Sequence, residues 1–386
     1  PGSSEAVPIW QPVTLPHCFN AEDAVDPDVN YYEGPGWYKT LLAIDNPYRN
    51  GRIVLDFDGA GQKTDVYVYT THVGSHVGGY DSWNVDITDA VKAFLGSKDA
   101  ERFKGKVPLS IRCDNSRDLE MIPSDLADFN IYGGLYRYLN LVYLPEVSFE
   151  QIHLESSLSS NLKEGILKVK TSFYNPEDIR KADVTVSVYD VDRKPVFSKT
   201  LEGILPLGDQ LLAKMKIKNP VLWDVDVPQL YTCELTVKTP DQTFTTEERF
   251  GFRHTEFKDK GPFFLNGKRL LLRGTHRHED HAGVAQAMTE DMMRREMRMM
   301  KDMGVNFIRL GHYQQSEIIL DLCDELGILV WEEIPWCRGG LGGDVYKKQA
   351  RRMLANMIVQ HHNHPAVIIW GLGNENDWPN DFNTFD

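Results

Sequence analysis

A buried apolar strand that ends in an amide and a carboxylic acid constrains this chain more than any other feature. The run Val367–Trp370 lies between a proline and a glycine, and a short continuous apolar run is typical of a strand buried in a parallel sheet. Asn374 and Glu375 follow closely. In a (β/α)8 barrel, catalytic groups lie at the carboxyl ends of the strands. An isolated Asn-Glu pair is more often a simple turn, so the surrounding sequence must decide.

Two β-rich units precede this region. In residues 1–145, and again in residues 146–253, apolar residues alternate with polar ones in short runs separated by Gly, Asn and Asp. Such alternation predicts antiparallel sandwiches, and the second unit has the size of an immunoglobulin-like domain. The alternating apolar sets are Ile53-Leu55-Phe57, Val66-Val68 and Leu139-Leu141-Tyr143 in the first unit, and Leu167-Val169-Thr171-Phe173, Val184-Val186-Val188 and Cys233-Leu235-Val237 in the second.

The pattern changes in residues 254–386, where short apolar runs alternate with helical periodicity. Thr289 and Ser316 are candidate N-caps of two helices, and Gly304 and Gly327 are candidate ends. Strands that alternate with helices at this interval predict right-handed βαβ units and a parallel sheet. The predicted strands are Leu270–Leu272, Val305–Arg309, Ile328–Trp331 and Val367–Trp370, and a third helix is predicted over Arg351–His361.

The predicted carboxyl ends of these four strands collect one set of polar and aromatic residues. Cations, imidazoles, an aromatic plate and one carboxylic acid suit a neutral, polyhydroxylated substrate, because the aromatic face can pack against the C–H groups of a sugar ring while polar groups reach its hydroxyls. The set comprises His276, Arg277, His278, Arg309, His312, Pro335, Trp336, Asn374 and Glu375.

Composition excludes several other classes of protein. The net charge of −14 disfavours binding to nucleic acid, which needs a basic surface, and no apolar stretch is long enough to cross a membrane. The five cysteines are scattered without a Cys-x-x-Cys pair, which predicts buried thiols. We expect a soluble protein; its compartment stays open between the cytoplasm and a periplasmic or secreted location with the signal removed. Homo-oligomerisation also stays open.

Several motifs, in order along the chain, resemble glycoside hydrolase family 2, the family of β-galactosidases and β-glucuronidases. The resemblance implies an N-terminal jelly-roll β-sandwich that binds sugar (1–145), an immunoglobulin-like β-sandwich (146–253), and the first half of a (β/α)8 TIM barrel (254–386). The motifs are Gly36-Trp37-Tyr38, Val77 to Tyr80, Asp86-Ile87-Thr88, Asp128 to Arg137, Phe264 to Lys268, Leu272 to Gly274, Asn306 to Tyr313 and Trp370 to Glu375.

The resemblance also implies roles for individual residues. Glu375 would be the general acid/base of a retaining mechanism, and we expect it to be buried in a pocket at the rim. Asn374 would hydrogen-bond the sugar 2-hydroxyl, and Arg309 would hold carboxylates in the site. Three further residues would contact the substrate: His276 and His312 from the barrel and Asp128 from the first unit. Trp336 is assigned as a stacking platform.

The chain departs from the family pattern at its end. A barrel needs about 250 residues and eight strands, whereas this sequence stops just after the fourth predicted strand. The family places its nucleophile on the seventh strand, so we expect the 386 residues to be the N-terminal part of a longer enzyme and to be inactive alone. No cofactor is expected to be required. The residues after Glu375 lack the nearby His of metal-using relatives, which argues against magnesium.

Two other classes of protein compete with this interpretation. The segment from His276 to His281 fits H-x-H-x-D-H, a signature of zinc hydrolases that would use His276, His278 and His281 as ligands. A non-catalytic carbohydrate-binding protein would retain the same scaffold. Within the family, β-galactosidase is the first choice, with β-glucuronidase or another family 2 glycosidase as the alternative.

Overall fold

The computed structural model describes residues 10–124, 127–176, 181–338 and 342–376. These residues form two antiparallel β-sandwiches followed by an α/β unit with a parallel sheet. The change from antiparallel to parallel pairing follows the sequence pattern, because period-two alternation gives way to helical periodicity after residue 254.

The first sandwich packs a four-stranded sheet of order β2-β7-β4-β5 against a three-stranded sheet of order β6-β3-β9. Its core contains the predicted alternating residues of both sheets, including Leu55, Phe57, Val66 and Val68. The elements of this unit are β1 (His17–Cys18), β2 (Pro35–Leu42), β3 (Arg52–Phe57), β4 (Lys63–Val68), β5 (Thr71–Val77), β6 (Trp83–Asp86), α1 (Thr88–Leu95), α2 (Asp99–Arg102), β7 (Val107–Asp114), β8 (Gly134–Leu135) and β9 (Leu139–Leu144).

The second sandwich packs a three-stranded sheet of order β10-β11-β14 against a four-stranded sheet of order β13-β12-β15-β16. The two inner faces bury the predicted period-two sets, among them Val184, Val186 and Val188, which are completely shielded from solvent. The strands are β10 (Ser148–Leu158), β11 (Glu164–Tyr174), β12 (Ala182–Tyr189), β13 (Pro195–Ile204), β14 (Gly208–Lys218), β15 (Tyr231–Lys238) and β16 (Thr243–Phe250).

The third unit begins with a small antiparallel sheet and continues into four parallel strands in the order β20-β21-β22-β23. Helices connect the last three of these strands to their predecessors, as in the first half of a TIM barrel. The elements are β17 (Thr255–Phe257), β18 (Phe263–Leu265), β19 (Lys268–Arg269), β20 (Gly274–Arg277), α3 (Glu290–Asp302), β21 (Phe307–Leu310), α4 (Glu317–Leu326), β22 (Leu329–Glu333), α5 (Asp344–His361) and β23 (Val367–Gly371).

The first barrel strand lies later in the chain than the sequence predicts. The strand predicted over Leu270–Leu272 is wrong, because the parallel ladder starts where Gly274 pairs with Phe307. The side chain of Asn306 takes the place of ladder bonds before that point. Its Nδ2 donates to the carbonyl of Leu271 at 3.0 Å, and its Oδ1 accepts from the amide of Arg273 at 2.7 Å. One amide side chain therefore bonds two backbone groups that lie just before the start of the ladder.

The predicted helix signals are largely confirmed. The Thr289 side chain accepts a hydrogen bond from the amide of Met292 at 3.4 Å, and Gly327 ends α4 in the left-handed conformation with φ 68°. Ser316 precedes α4 as predicted, but its side chain makes no capping bond. Its own backbone amide donates to Glu279 at 2.8 Å. A buried carboxylate therefore lies at the start of this helix, where it complements the helix dipole.

A buried ion pair joins the first sandwich to the barrel. Arg137 Nε donates to Glu279 Oε1 at 2.8 Å, and both side chains are almost completely buried. The remaining guanidinium nitrogens donate to the carbonyls of Tyr80 and Gln314 at 2.8 Å and of Asp58 at 3.3 Å. The guanidinium is thus bonded to both units, which fixes the first sandwich over the mouth of the barrel sheet.

Two further expectations concern the chain as a whole. All five cysteines are buried and free, as predicted. In the described part of the chain, no helix combines the length and apolar character needed to cross a bilayer.

Candidate active site

The centre of the candidate site is a carboxylate held between two barrel strands. Arg309 on β21 donates to both oxygens of Glu333 at the end of β22, with Nη2 2.9 Å from each oxygen and Nε 3.2 Å from Oε2. Arg309 Nη2 also lies 3.0 Å from Asn374 Oδ1. This arrangement places residues from three adjacent strands in one hydrogen-bonded group at the carboxyl edge of the sheet. The prediction that Arg309 holds a carboxylate agrees with this geometry.

Glu332 and Glu333 point to opposite faces of β22, as neighbours on a strand must. The Glu332 carboxylate is buried on the helix side, where Oε2 lies 2.7 Å from His361 Nδ1 on α5. The Glu333 carboxylate lies on the other side, with Arg309 and His312. Only one of the two acids therefore faces the candidate site.

Three histidines line the same edge. His312 follows β21, and its Nδ1 lies 2.6 Å from Glu333 Oε1. The ring of His276 lies 4.7 Å from that of His312, and the ring of His278 lies 5.0 Å from that of His276. The structure thus brings His276 and His312 together as predicted, and it adds His278 to the group.

Burial and mutual repulsion keep two of these imidazoles neutral. Partial burial, the neighbouring His312 and the Arg309 guanidinium lower the pKa of His276. Burial, with His276 and His312 nearby, lowers the pKa of His278 to about 4. Near neutral pH these rings therefore carry a lone pair that can accept a hydrogen bond or coordinate a metal ion.

The first sandwich contributes Asp128 to the site. Cys337 Sγ donates to Asp128 Oδ1 at 3.3 Å, and Asn374 Nδ2 donates to Cys337 Sγ at 3.5 Å. Arg338 Nη2 lies 3.4 Å from Asp128 Oδ2. Burial alone would raise the pKa of Asp128, but the hydrogen bond from Cys337 and the nearby charges of His312 and Arg338 lower it. The residue therefore presents a charged carboxylate beside the barrel strands.

Glu375 does not occupy the buried pocket that the sequence predicts. Its side chain is 58% exposed, and its Oε2 accepts from Arg338 Nε at 3.0 Å. The backbone explains this placement. Asn374 is fixed by bonds from its amide to the Trp336 carbonyl and from the Arg338 amide to its carbonyl. The chain then turns at Glu375, whose φ is 51°, and the carboxylate lies over Arg338.

Trp336 is not a stacking platform. Its side chain is only 2% exposed and packs in an apolar cluster with Ile122, Ile334 and Met353. The ring meets that of Tyr346 on α5 edge to face at 6.1 Å. The prediction was wrong because β22 ends at Glu333, so the residues after it no longer follow the alternation that would direct Trp336 into the barrel.

Sequence reasoning missed the partners of Arg309. Trp331 lies on the same strand face as Glu333, and the Arg309 guanidinium lies 4.6 Å from its ring. Phe129, next to Asp128, contacts the rings of His278 and His312. Alternation along β22 could have identified Trp331 and Glu333 as a pair. No sequence signal places Phe129 there, because that contact depends on how the first sandwich docks.

The zinc-hydrolase ligand set is not assembled. His281 lies in a turn, where its backbone pairs with Ala285 and its Nδ1 lies 3.0 Å from the carbonyl of Ala282. His276 and His278 instead group with His312, from a different strand. The residues beyond Asn376, on which the expectation about magnesium partly rests, lie outside the described part of the chain.

Family comparisons agree with this architecture along the whole chain. The model of the sugar binding domain of glycosyl hydrolases family 2 matches residues 3–145, a second family 2 model matches residues 147–253, and the family 2 TIM barrel domain matches residues 256–385. The chain belongs to glycosyl hydrolase family 2.

Individual relatives are named for two activities. A putative β-glucuronidase of Formosa agariphila is 40% identical over 98% of this chain and 44% of its own length, and a β-galactosidase of Thermoanaerobacter pseudethanolicus is 28% identical over 93% of this chain and 46% of its own. The apo structure of Bacteroides uniformis β-glucuronidase 3 is 61% identical, with a TM-score of 0.92, over 100% of this chain and 48% of that one. The chain spans about half the length of these relatives.

Proposed function

We propose that the enzyme to which this chain belongs is a retaining, exo-acting β-glucuronidase. The observation that carries the glycosidase proposal is the hydrogen-bonded group of Arg309, Glu333 and Asn374 at the carboxyl edge of the barrel sheet, with Asp128 beside it. The putative β-glucuronidase of Formosa agariphila and Bacteroides uniformis β-glucuronidase 3, at 40% and 61% identity, are more similar to this chain than the β-galactosidase of Thermoanaerobacter pseudethanolicus, at 28%. The first choice of β-galactosidase is therefore replaced by its alternative.

In this proposal the residues at the sheet edge bind the terminal sugar. Asn374 contacts the 2-hydroxyl, and this contact strengthens as the oxocarbenium-like transition state develops. The hydrogen bond from Arg309 fixes the Asn374 amide, because the guanidinium donates to Oδ1 and leaves Nδ2 as the donor. His276 and His312 contact the sugar or the leaving group, and Asp128 contacts it from the first sandwich.

Glu375 is proposed as the general acid/base. It follows directly after Asn374, so it lies beside the sugar that Asn374 binds. To protonate a glycosidic oxygen, the carboxyl must leave Arg338, which contacts it in the present arrangement. Both side chains are about half exposed, and solvent screens an exposed pair of this kind, so it contributes little. The rearrangement is therefore inexpensive.

The nucleophile is proposed to lie outside these 386 residues. A retaining glycosidase needs a second carboxylate about 5–5.5 Å from the acid/base. Glu333 is unsuitable, since its side chain is completely buried and both of its oxygens are bonded to Arg309 or His312. We therefore expect the 386-residue chain to release no p-nitrophenol from p-nitrophenyl β-glucuronide, whereas the full-length enzyme does. Turnover by the purified 386-residue chain would contradict this.

The acid/base role can be tested in the full-length enzyme with Glu375→Gln. General acid catalysis contributes about 10²–10⁴-fold, and it matters most for a poor leaving group. We expect kcat/KM for methyl β-glucuronide to fall by at least about a hundredfold, and the loss to be much smaller for p-nitrophenyl β-glucuronide. Glu256→Gln, at an exposed glutamate on β17, is the matched control and should leave both values unchanged. Equal losses for the two substrates would refute the assignment.

Substrate class is tested with the same preparation. The enzyme is expected to hydrolyse p-nitrophenyl β-glucuronide with a kcat/KM well above that for the β-galactoside. A preference for the galactoside would overturn the glucuronidase proposal while leaving the glycosidase proposal intact.

A further inference from the structure

Cys337 joins two residues of the candidate site that come from different units. Its Sγ donates to Asp128 Oδ1 of the first sandwich at 3.3 Å and accepts from Asn374 Nδ2 of the barrel at 3.5 Å. A thiol carries one hydrogen and can also accept, so it can make both contacts at once. The residue is completely shielded from solvent. Cys337 therefore forms a buried bridge between two of the residues proposed to bind the sugar.

The backbone holds Cys337 beside Asn374. The two residues form an isolated parallel bridge beyond the ends of β22 and β23. The Asn374 amide donates to the Trp336 carbonyl at 2.8 Å, and the Arg338 amide donates to the Asn374 carbonyl at 2.9 Å. Trp336 is in turn anchored in an apolar cluster. Because the backbone on both sides of Cys337 is bonded to Asn374, the position of the thiol relative to the Asn374 side chain is fixed.

The side-chain amide of Asn374 has two anchors, and Cys337 is one of them. A guanidinium only donates, so the atom of Asn374 that lies 3.0 Å from Arg309 Nη2 must be the oxygen. The amide nitrogen carries two hydrogens, and one of them bonds Cys337 Sγ. The other hydrogen is left for a ligand. Without the anchor at sulfur, the contact at Oδ1 would no longer prevent the amide from tilting away from the sugar.

The thiol donates to Asp128 because it stays protonated near neutral pH. Burial and the Asp128 carboxylate raise the pKa of Cys337, and the ordinary thiol pKa already lies above neutrality. Burial opposes ionisation of Asp128, but the bond from Cys337 helps to lower its pKa. The hydrogen bonds therefore run in one direction, from the Asn374 amide to the thiol and from the thiol to the carboxylate.

We infer that Cys337 is a positioning residue, which holds the Asn374 amide in the orientation that binds the sugar 2-hydroxyl and links that amide to Asp128. This inference rests on the proposed function, because it assumes that Asn374 contacts the 2-hydroxyl. That contact strengthens as the oxocarbenium-like transition state develops. Loss of Cys337 should therefore lower kcat more than it raises KM, and only for substrates that carry a 2-hydroxyl.

The test compares p-nitrophenyl β-glucuronide with its 2-deoxy analogue in the full-length enzyme. Cys337→Ala removes both contacts of the thiol, and we expect kcat for the glucuronide to fall about tenfold with KM nearly unchanged. The kcat for the 2-deoxy substrate should fall by less than about twofold, since that substrate offers no partner to the second hydrogen of the Asn374 amide. A merely structural role would lower both kcat values equally, because partial unfolding removes enzyme irrespective of the substrate.

Further variants control for folding and for the chemistry of the side chain. Cys337→Ser keeps a group that both donates and accepts, so it should recover most of the kcat for the glucuronide. Cys337→Val keeps an apolar side chain of comparable size without hydrogen bonds, and it replaces Cys337→Ala if near-UV circular dichroism shows that Cys337→Ala is unfolded. Cys233→Ala, at an equally buried cysteine in the core of the second sandwich, is the matched control and should leave both kcat values unchanged.

Asn374→Ala separates this inference from the proposed function. If Asn374→Ala loses activity on the glucuronide alone but Cys337→Ala loses it equally on both substrates, the positioning role is overturned and the 2-hydroxyl contact stands. If Asn374→Ala loses activity equally on both substrates, the 2-hydroxyl contact is rejected and the positioning role falls with it. Failure of Cys337→Ser to recover activity would also overturn the inference. Should the enzyme prefer β-galactosides, the same comparison is made with the galactoside and its 2-deoxy analogue.

Discussion

Replacing Arg137 should uncouple the first sandwich from the barrel. The Arg137 and Glu279 side chains are only 3% and 1% exposed, so Arg137→Met leaves a buried carboxylate without its main partner. Breaking a buried ion pair by removing one member costs about 3–5 kcal/mol. Glu279 keeps two contacts, the Ser316 amide at 2.8 Å and Arg277 at 3.7 Å, which favours the lower end of that range. The three carbonyls that Arg137 contacts add to the cost, so we expect about 4 kcal/mol.

Urea unfolding followed by tryptophan fluorescence measures this loss, and a double-mutant cycle isolates the ion pair. Because the chain has several units, the variants are compared by the free energy of the first resolved unfolding transition, since a single global free energy is not defined. Arg137→Met leaves the Glu279 charge buried and unpaired, and Glu279→Gln removes that charge. The double variant should therefore be about 2 kcal/mol more stable than the sum of the two single losses predicts. Arg137→Lys keeps the charge but cannot make the forked contacts, and it should fall between the parent and Arg137→Met.

Arg193 provides the matched control. It makes a two-bond contact with Glu247 at 2.8 and 3.2 Å, but the side chains are 56% and 42% exposed. Arg193→Met should therefore leave the unfolding transition nearly unchanged, because solvent screens the exposed pair. If Arg137→Met and Arg193→Met destabilise the chain equally, burial does not increase the contribution of the ion pair to stability. The proposed docking contact is then refuted.

Three further perturbations test burial and charge elsewhere. Trp336→Ala should cost about 3–5 kcal/mol in thermal or urea unfolding, whereas Trp37→Ala, at a half-exposed tryptophan, should cost far less; similar losses would contradict the burial of Trp336. Burial opposes protonation of His364, but the charge of Asp324 outweighs burial and raises the pKa of His364 to about 9. The protonated His364 therefore stabilises the fold below pH 6.5, and this contribution is lost as the pH rises towards 9. In His364→Asn this pH dependence of the melting temperature should disappear. Burial raises the pKa of Glu248 to about 7, so its ionisation in the folded state lowers stability as the pH rises from 4.5 to 7. Glu248→Gln should therefore melt at a higher temperature than the parent at pH 8 but not at pH 4. The same difference in melting temperature at both pH values would refute this.

The sequence predicts the scaffold well because local periodicity determines it. Alternation in segments such as Val184–Val188 requires one strand face to be buried, and a sandwich is the arrangement that buries it. The strand Val367–Gly371 likewise agrees with the strand expected over Val367–Trp370 from a continuous apolar run. The error at Leu270–Leu272 has a different origin. Apolar character there reflects packing against the barrel core, whereas the Asn306 side chain satisfies the backbone in place of a neighbouring strand.

The candidate site was only partly predictable, because side-chain direction beyond the end of a strand is not set by alternation. Arg309 lies within β21, so its direction follows from the ladder, and it reaches the rim as expected. Trp336 and Glu375 lie beyond the ends of β22 and β23, where turns decide their orientation. One is buried in the core and the other is exposed over Arg338. The direction expected for Arg309 within a strand thus agrees with the structure, whereas those expected for Trp336 and Glu375, beyond the strand ends, do not.

Glu332 and Glu333 are adjacent in the sequence, but their carboxylates contact different layers of the barrel unit. The two adjacent acids face opposite sides of the sheet, because successive side chains of a strand alternate between its faces. Glu332 is bonded to His361 on α5, within the layer of helices that covers the sheet, whereas Glu333 orients Arg309 and His312 at the edge. Because Arg309 in turn bonds Asn374, the position of the amide that we propose to bind the sugar depends on an acid one strand away. The sequence places the two acids side by side, and the alternation of the strand gives them separate roles.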